Sequence, residues 1–247
     1  MCTVSYLPKG LNSFILTSNR DEKFSRKIAV FPTQISIGKE KVIFPKDPDG
    51  GGSWIAATSS GKMVCLLNGA FYKHLAAPYY KKSRGLVLLD VLKYENMDEF
   101  VADYDLGNIA PFTLVSYMQE ALVEFRWNGS EIFHIKLDPT KPYIWSSVTL
   151  YSAEIIEKRN TWFNIWLEKN PLKKLSSIRK FHRTGGDGNK ENDLTMNRQD
   201  QMYTVSITSI VKDKQQLNMI YEDLVTRDKT KLNLKINEEM EPNNISE

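Results

Sequence analysis

An α+β fold is the reading that this 247-residue sequence supports, and three patterns carry it. Short β-rich runs separated by turn chemistry dominate the first third, a strand meander occupies the middle, and helical periodicity is confined to blocks between them. That order is compatible with two antiparallel sheets sandwiched between helical layers, and equally with an ordinary α+β domain. Residues 1–228 read as a single domain. Residues 229–247 read as a polar, flexible tail with too little apolar content to pack.

The first hairpin joins the β-rich run Thr3–Leu7 to a second run, Phe14–Ser18, through the turn residues Pro8-Lys9-Gly10-Leu11-Asn12-Ser13. Its second strand continues into Asn19-Arg20-Asp21-Glu22. Val42–Pro45 then leads to the glycine run Gly50-Gly51-Gly52, which suits a tight turn or a close approach to a ligand. Ser53–Ala57 and Met63–Asn68 form another hairpin around Ser59–Lys62.

From Ser83 to about Tyr104 the spacing of Leu86, Leu89, Val91, Leu92, Phe100 and Val101 predicts a helix with Ser83 as its N-cap. Phe112–Tyr117, Ala121–Trp127 and Ile132–Leu137 read as a meander, with Asn128-Gly129 as the hairpin signal between the last two. Ala153–Lys169 is an aromatic-rich helix, and 183–201 a long loop. Tyr203–Val211 alternates like a strand, and 213–226 reads as a short final helix.

Composition narrows the classes of function. The net charge is +3 with acids and bases interspersed, so no nucleic-acid footprint stands out. Two cysteines, Cys2 and Cys65, offer neither a disulfide framework nor zinc spacing. His74, His134 and His182 lie in unrelated contexts, so neither a metal nor another cofactor is expected. No apolar run reaches the roughly 20 residues needed to span a bilayer, and no signal-peptide core follows the initiator methionine. The expected setting is cytoplasmic, with a small-molecule ligand as the partner and an undetermined oligomeric state.

Cys2 is the residue whose position points most directly to chemistry. Once the initiator methionine is trimmed, it carries a thiol and a free α-amine together. Their ordinary pKa values, near 8.5 and 8, let each exchange a proton with the other around neutral pH without a histidine. N-terminal nucleophile hydrolases work this way. The hairpin returns the chain beside its own start, which places Asp21 where it can hold the α-ammonium, and Asn19 or Arg20 where they can line a pocket. Cys65 sits in the apolar run Met63–Leu67 and is expected to be buried and inert.

Several motifs in order carry a family resemblance: Met1-Cys2-Thr3, Thr17-Ser18-Asn19-Arg20-Asp21-Glu22 with Arg26 behind it, Gly51-Gly52-Ser53-Trp54-Ile55, Gly61 to Asn68, and Ser83-Arg84-Gly85-Leu86-Val87. The chain resembles the NRDE family, whose eukaryotic members are the transport and Golgi organisation 2 proteins. That family is similar to the cysteine N-terminal nucleophile hydrolases of the penicillin V acylase and bile salt hydrolase branch. The resemblance implies a four-layer αββα sandwich. It also implies Cys2 as nucleophile, Asp21 as partner of the terminal amine, and Asn68 as an oxyanion donor. The acylase arginine position is occupied by Ser18, whereas Arg20 matches the arginine of the NRDE family. The later asparagine of the acylases has no counterpart, and Trp145-Ser146-Ser147 offers serines in its place.

The resulting expectation is an amidohydrolase cleaving the C–N bond of a small amphipathic acyl amide. The alternative is a non-catalytic carrier on the same fold, for a hydrophobic metabolite such as haem or acyl-CoA. Asn19, Arg20, Trp54 and Arg84 are the expected substrate-binding residues. Trp54, Phe71, Tyr72, Tyr79 and Tyr80 are read collectively as an apolar wall, with Lys73, Lys81, Lys82 and Arg84 as a cationic rim suited to an anionic amphiphile.

Overall fold

A computed structural model describes residues 3–199 and 201–236. Its strands form two seven-stranded antiparallel sheets. The first contains β1 (Thr3–Gly10), β2 (Ser13–Lys23), β10 (Tyr143–Ser146), β12 (Met202–Lys212), β13 (Gln216–Asp223) and β14 (Lys229–Lys235), in the order β10-β1-β2-β12-β13-β14, with the short β11 (Asn197–Arg198) pairing with β12. The second is a continuous meander from β3 (Val30–Ile37) through β4 (Glu40–Lys46), β5 (Ile55–Thr58), β6 (Met63–Asn68), β7 (Phe112–Met118) and β8 (Ala121–Trp127) to β9 (Ile132–Leu137).

Side-chain alternation along these strands builds three apolar layers. Val4, Tyr6, Phe14 and Leu16 of the first sheet pack against Ile43, Ile55, Cys65, Leu67 and Val115 of the second, making the central core. The opposite face of the second sheet, with Val64, Leu66, Leu114 and Phe125, takes the helices α1 (Arg84–Val91) and α2 (Met97–Asp103). The opposite face of the first sheet, through Leu7 and Ile15, takes α3 (Ala153–Lys169) and α4 (Leu175–Thr184). Helix, sheet, sheet, helix is therefore the layer order, as the family resemblance implied.

Four segments differ from the sequence expectation. Residues 213–226 are not helical: Leu217, Met219 and Tyr221 alternate at period two into the central core as β13. Asp213, which resembles an N-cap, instead closes a hairpin, its Oδ1 accepting from the Gln215 and Gln216 amides at 3.0 and 2.9 Å. The boundary expected at 228 falls one residue before β14, an edge strand whose lysines face out while Leu234 reaches the core. Residues 237–247 of the expected tail lie outside the described residues.

The helical stretch from Ser83 splits in two. Ser83 caps α1, its Oγ accepting from the Leu86 amide at 3.3 Å, but Asn96 starts a second helix by capping Glu99 at 2.9 Å. Finally, the 183–201 segment begins inside α4, and its middle is packed, with Leu194 and Met196 buried.

Candidate active site

The end of β2 sends consecutive side chains to opposite faces, and this divides the work of the Asn19-Arg20-Asp21-Glu22 segment. Asn19 faces the α3/α4 layer and is fully buried. Its Nδ2 donates to the carbonyls of His182 at 2.9 Å and Leu194 at 2.6 Å, and its Oδ1 lies 2.8 Å from His182 Nδ1. This residue is a clamp between β2, α4 and the loop after α4, and not a pocket wall as expected from sequence. Asp21 faces the same way: its Oδ2 accepts from the Tyr151 hydroxyl at 2.6 Å and its Oδ1 from Thr204 Oγ1 at 2.5 Å.

The same layer ties down the start of β1. Arg159 of α3, fully buried, donates to Thr3 Oγ1 and, through Nη2, to the carbonyls of Asn192 and Asp193 at 2.9 and 2.8 Å. Its guanidinium lies 3.6 Å from the centroid of the Tyr151 ring, and Tyr151 in turn holds Asp21. Ser5 and His182 close the network, with Ser5 Oγ 2.7 Å from His182 Nε2. Thr3, the first described residue, is thus fixed from strand, helix and loop together. Cys2 lies outside the described residues.

Arg20 takes the other face. Its guanidinium lies 4.5 Å from the centroid of the Trp54 ring, and Nη2 stands 3.5 Å from the carboxylates of Glu22 and Asp47. Arg26 holds Asp47 more closely, at 2.6 Å, and this contact keeps the Asp47 carboxyl below its ordinary range despite burial. Trp54 reaches this position because the Gly52-Ser53 backbone lies directly against Gly85: Ser53 N donates to Gly85 O at 3.1 Å, and a Cβ on Gly52 would sit 2.1 Å from the Gly85 carbonyl carbon. Only glycine permits that approach, which brings the start of α1 up against the loop before β5.

A cavity of about 690 Å³ opens here, lined by Arg20, Trp54, Asn68, His74, Tyr80 and Arg84 among others. Arg20, Trp54, Asn68 and Arg84, all anticipated from sequence, thus share one chamber, together with Tyr79 and Tyr80 of the expected apolar wall and Lys82 of the expected cationic rim. Asp21 and Asn19 do not line it. Phe71 and Tyr72, read as part of the same wall, do not line the chamber: both are exposed, and Phe71 packs edge-on against Phe133. Burial pushes Arg84 down to about 10, and among the described residues no carboxylate lies in ion-pair contact with it. His74, held below its ordinary value by burial and by Arg84, had no distinguishing sequence pattern.

Three buried polar nitrogens on this wall, Arg20 Nη2, Trp54 Nε1 and His74 Nδ1, have no hydrogen-bond partner among the described residues. Ser147, next to the position expected to hold a second oxyanion donor, has its hydroxyl engaged by the Asn68 carbonyl at 2.8 Å and by Thr149 at 2.9 Å. Cys65 is buried in the central core, and desolvation pushes its thiol up to about 12. Among the described residues no group of three His, Cys, Asp or Glu side chains is arranged to hold a metal ion.

A sequence profile of the Transport and Golgi organisation 2 family matches residues 1–243. The chain belongs to that family. No curated protein matches it in sequence. Among solved structures, this family member is similar to the Caenorhabditis elegans ortholog of N-acylethanolamine-hydrolyzing acid amidase, at 13% identity and a TM-score of 0.58, over 85% of this chain and 92% of that one. It is also similar to a variant of conjugated bile acid hydrolase from Clostridium perfringens, at 11% identity and a TM-score of 0.56, over 99% and 100% of the two chains. A second mutant of that hydrolase matches at 11% identity and a TM-score of 0.54 over 97% and 93%. At such identities the likeness establishes the fold, that of the N-terminal nucleophile hydrolases.

Proposed function

We propose that this Transport and Golgi organisation 2 family member is an N-terminal-cysteine amidohydrolase acting on the acyl-amide bond of a small anionic amphiphile. The observation that carries the reading is the shared chamber: Asn68, Trp54, Arg20 and Arg84 line one cavity beside the end of β2, the strand that pairs with β1 immediately after Cys2. The two solved proteins named above are, by their titles, an N-acylethanolamine-hydrolyzing acid amidase ortholog and a conjugated bile acid hydrolase, and this supports the reading.

In the proposed reaction the Cys2 thiolate adds to the amide carbonyl, and the Asn68 carboxamide donates to the developing oxyanion. The C–N bond then breaks, the leaving nitrogen takes its proton from the Cys2 α-ammonium, and water releases the acyl group as a carboxylic acid. Asp21 is assigned to hold that ammonium, supported on its other side by Tyr151 and Thr204. Arg20 and Arg84 receive the anionic end of the substrate, and Trp54 packs on its apolar part. The free thiol of Cys65 suits a reducing compartment such as the cytoplasm.

One observation favours a second reading, a carrier that binds without turnover. Ser147, the nearest substitute for the missing second oxyanion donor, already spends its hydroxyl on Asn68 and Thr149. Acyl-amide turnover by purified protein whose first residue is verified as Cys2, compared with Cys2→Ala, separates the two. Hydrolysis abolished by the substitution supports the enzyme, and saturable binding without hydrolysis in either protein supports the carrier.

A further inference from the structure

The loop between β6 and α1 runs from Gly69 to Ser83 and contains no acidic residue. It exposes an unusual amount of apolar surface: Tyr72 is 85% exposed, Leu75 96% and Tyr79 67%. Side chains of this size are seldom left together in water unless something covers them. Lys73, between them, forms no ion pair among the described residues, so its charge is free to meet an external partner.

The same loop walls the cavity. His74, Ala76, Ala77, Pro78, Tyr79 and Tyr80 line the chamber, while Tyr72 and Leu75, in the same loop, do not line it and are almost fully exposed. Lys23 of β2 and Met202 of β12 also line it, and Phe24, the residue after Lys23, is 71% exposed with its ring 6.1 Å from that of Tyr203. Aromatic and aliphatic tips interleaved with lysines therefore flank the cavity from two separate segments of the chain. Aromatic residues favour the boundary between acyl chains and headgroups, and unpaired lysines favour an anionic headgroup layer.

We propose that this cavity rim docks on the surface of a bilayer containing anionic phospholipid, with Tyr72 and Leu75 seated among the headgroups, so that an amphiphile can pass between the membrane and the chamber. Docking on a bilayer is separate from catalysis and requires neither Cys2 nor hydrolysis. It does give the proposed acyl ligand a source, since such a compound partitions into membranes.

The test is flotation of the full-length protein with phosphatidylcholine vesicles containing phosphatidylserine as the minority lipid, beside vesicles of phosphatidylcholine alone. The wild-type protein is expected to float with the anionic vesicles and to be released by high salt. Tyr72→Asp combined with Leu75→Asp is expected to cut the bound fraction tenfold or more, and Lys73→Glu to cut it severalfold on anionic vesicles only. Circular dichroism verifies that these exposed substitutions leave the fold intact. Wild-type protein that stays with neither vesicle, or variants that float equally well, overturns the proposal. So does a concentration-dependent dimer that the Asp substitutions dissolve, because the loop is then a surface for a second copy of the chain. Binding of a water-soluble short-chain acyl amide is expected to be unchanged in the double variant, so loss of docking is read separately from loss of the site.

Discussion

Asn19 and His182 are joined side chain to side chain, with the imidazole Nδ1 2.8 Å from the carboxamide Oδ1. Because the Asn19 amide nitrogen is already spent on two carbonyls, its oxygen is the acceptor and His182 Nδ1 carries the proton. His182 Nε2 is then the acceptor for the Ser5 hydroxyl. The arrangement has the atom order of a nucleophile, base and orienter, yet Ser5 and His182 are both fully buried, so it serves as a structural tie. It joins β1, β2 and α4 on the face opposite the chamber.

A pH dependence follows from this tie. Burial, reinforced by Arg179 and Arg159, pushes His182 down to about 3 from an ordinary value of 6.5. Between those values the unfolded chain binds a proton that the folded one refuses, so stability falls as pH drops below 6.5 and the loss is complete near 3. At pH 5 the loss from this residue is about 2 kcal/mol. Urea unfolding of the wild-type protein at pH 7 and 5 is expected to show it, and His182→Gln is expected to lower stability at pH 7 while removing most of this slope. An unchanged slope in the variant would rule out His182 as its source.

Gly52→Ala tests the packing that holds Trp54 over the chamber. The added methyl would meet the Gly85 carbonyl carbon at 2.1 Å, a backbone group that no rotamer change can move aside. A loss of about 3 kcal/mol is expected in chemical denaturation, in the range of overpacked interiors. Quenching or a spectral shift of Trp54 fluorescence should accompany it. A variant as stable as wild type would mean that the two backbones separate cheaply and that this contact does not organise the site.

The glycines of this contact were visible in the sequence as motif residues, and the reason for them was not. Neither Gly52 nor Gly85 has a positive φ; their role is an approach between segments more than 30 residues apart, which no local pattern records. Asn19 shows a related limit. Its neighbour Arg20 lines the chamber while Asn19 faces away, and that distinction depends on which face of β2 meets which sheet. The strand meander was legible because its turns are local, as at Asn128, whose Oδ1 accepts from Ser130 and Glu131 at 2.8 Å each. Residues 213–226 hold the strand β13 and not the expected helix because Leu217, Met219 and Tyr221 enter the central core at period two after a turn closed by Asp213, and which of these residues meet the core depends on the opposite sheet.

Thiol labelling separates the two cysteines. Cys65 is buried and its thiol is pushed up to about 12, so almost none of it is thiolate at neutral pH. Native protein exposed to a slight excess of iodoacetamide is expected to gain one adduct by intact mass, placed on Cys2 by peptide mapping and absent in Cys2→Ala. Cys65 should label only after unfolding. An adduct on Cys65 in the native protein would contradict both the buried thiol and the assignment of Cys2 as the reactive group.

Asn68→Ala and Arg84→Met divide the proposed site into its two tasks. Asn68 is the assigned oxyanion donor, so its loss is expected to lower kcat by roughly 100- to 1,000-fold with little change in substrate affinity. Arg84 is assigned to the anionic end: it lines the chamber, donates Nη1 to the Pro111 carbonyl at 3.0 Å, and has no carboxylate in ion-pair contact among the described residues. Methionine nearly matches its length without its charge, and the cost of the lost charged hydrogen bond is roughly 10- to 100-fold in affinity for an acyl amide bearing a carboxylate. The matching neutral amide should bind the two proteins almost equally, because it offers nothing for the guanidinium to pair with. Calorimetric titration of both ligands into both proteins reads this directly. Equal losses for the charged and neutral ligands would mean that Arg84→Met disturbs the chamber as a whole, and no loss for either would place the anion elsewhere, with Arg20 the next residue to test.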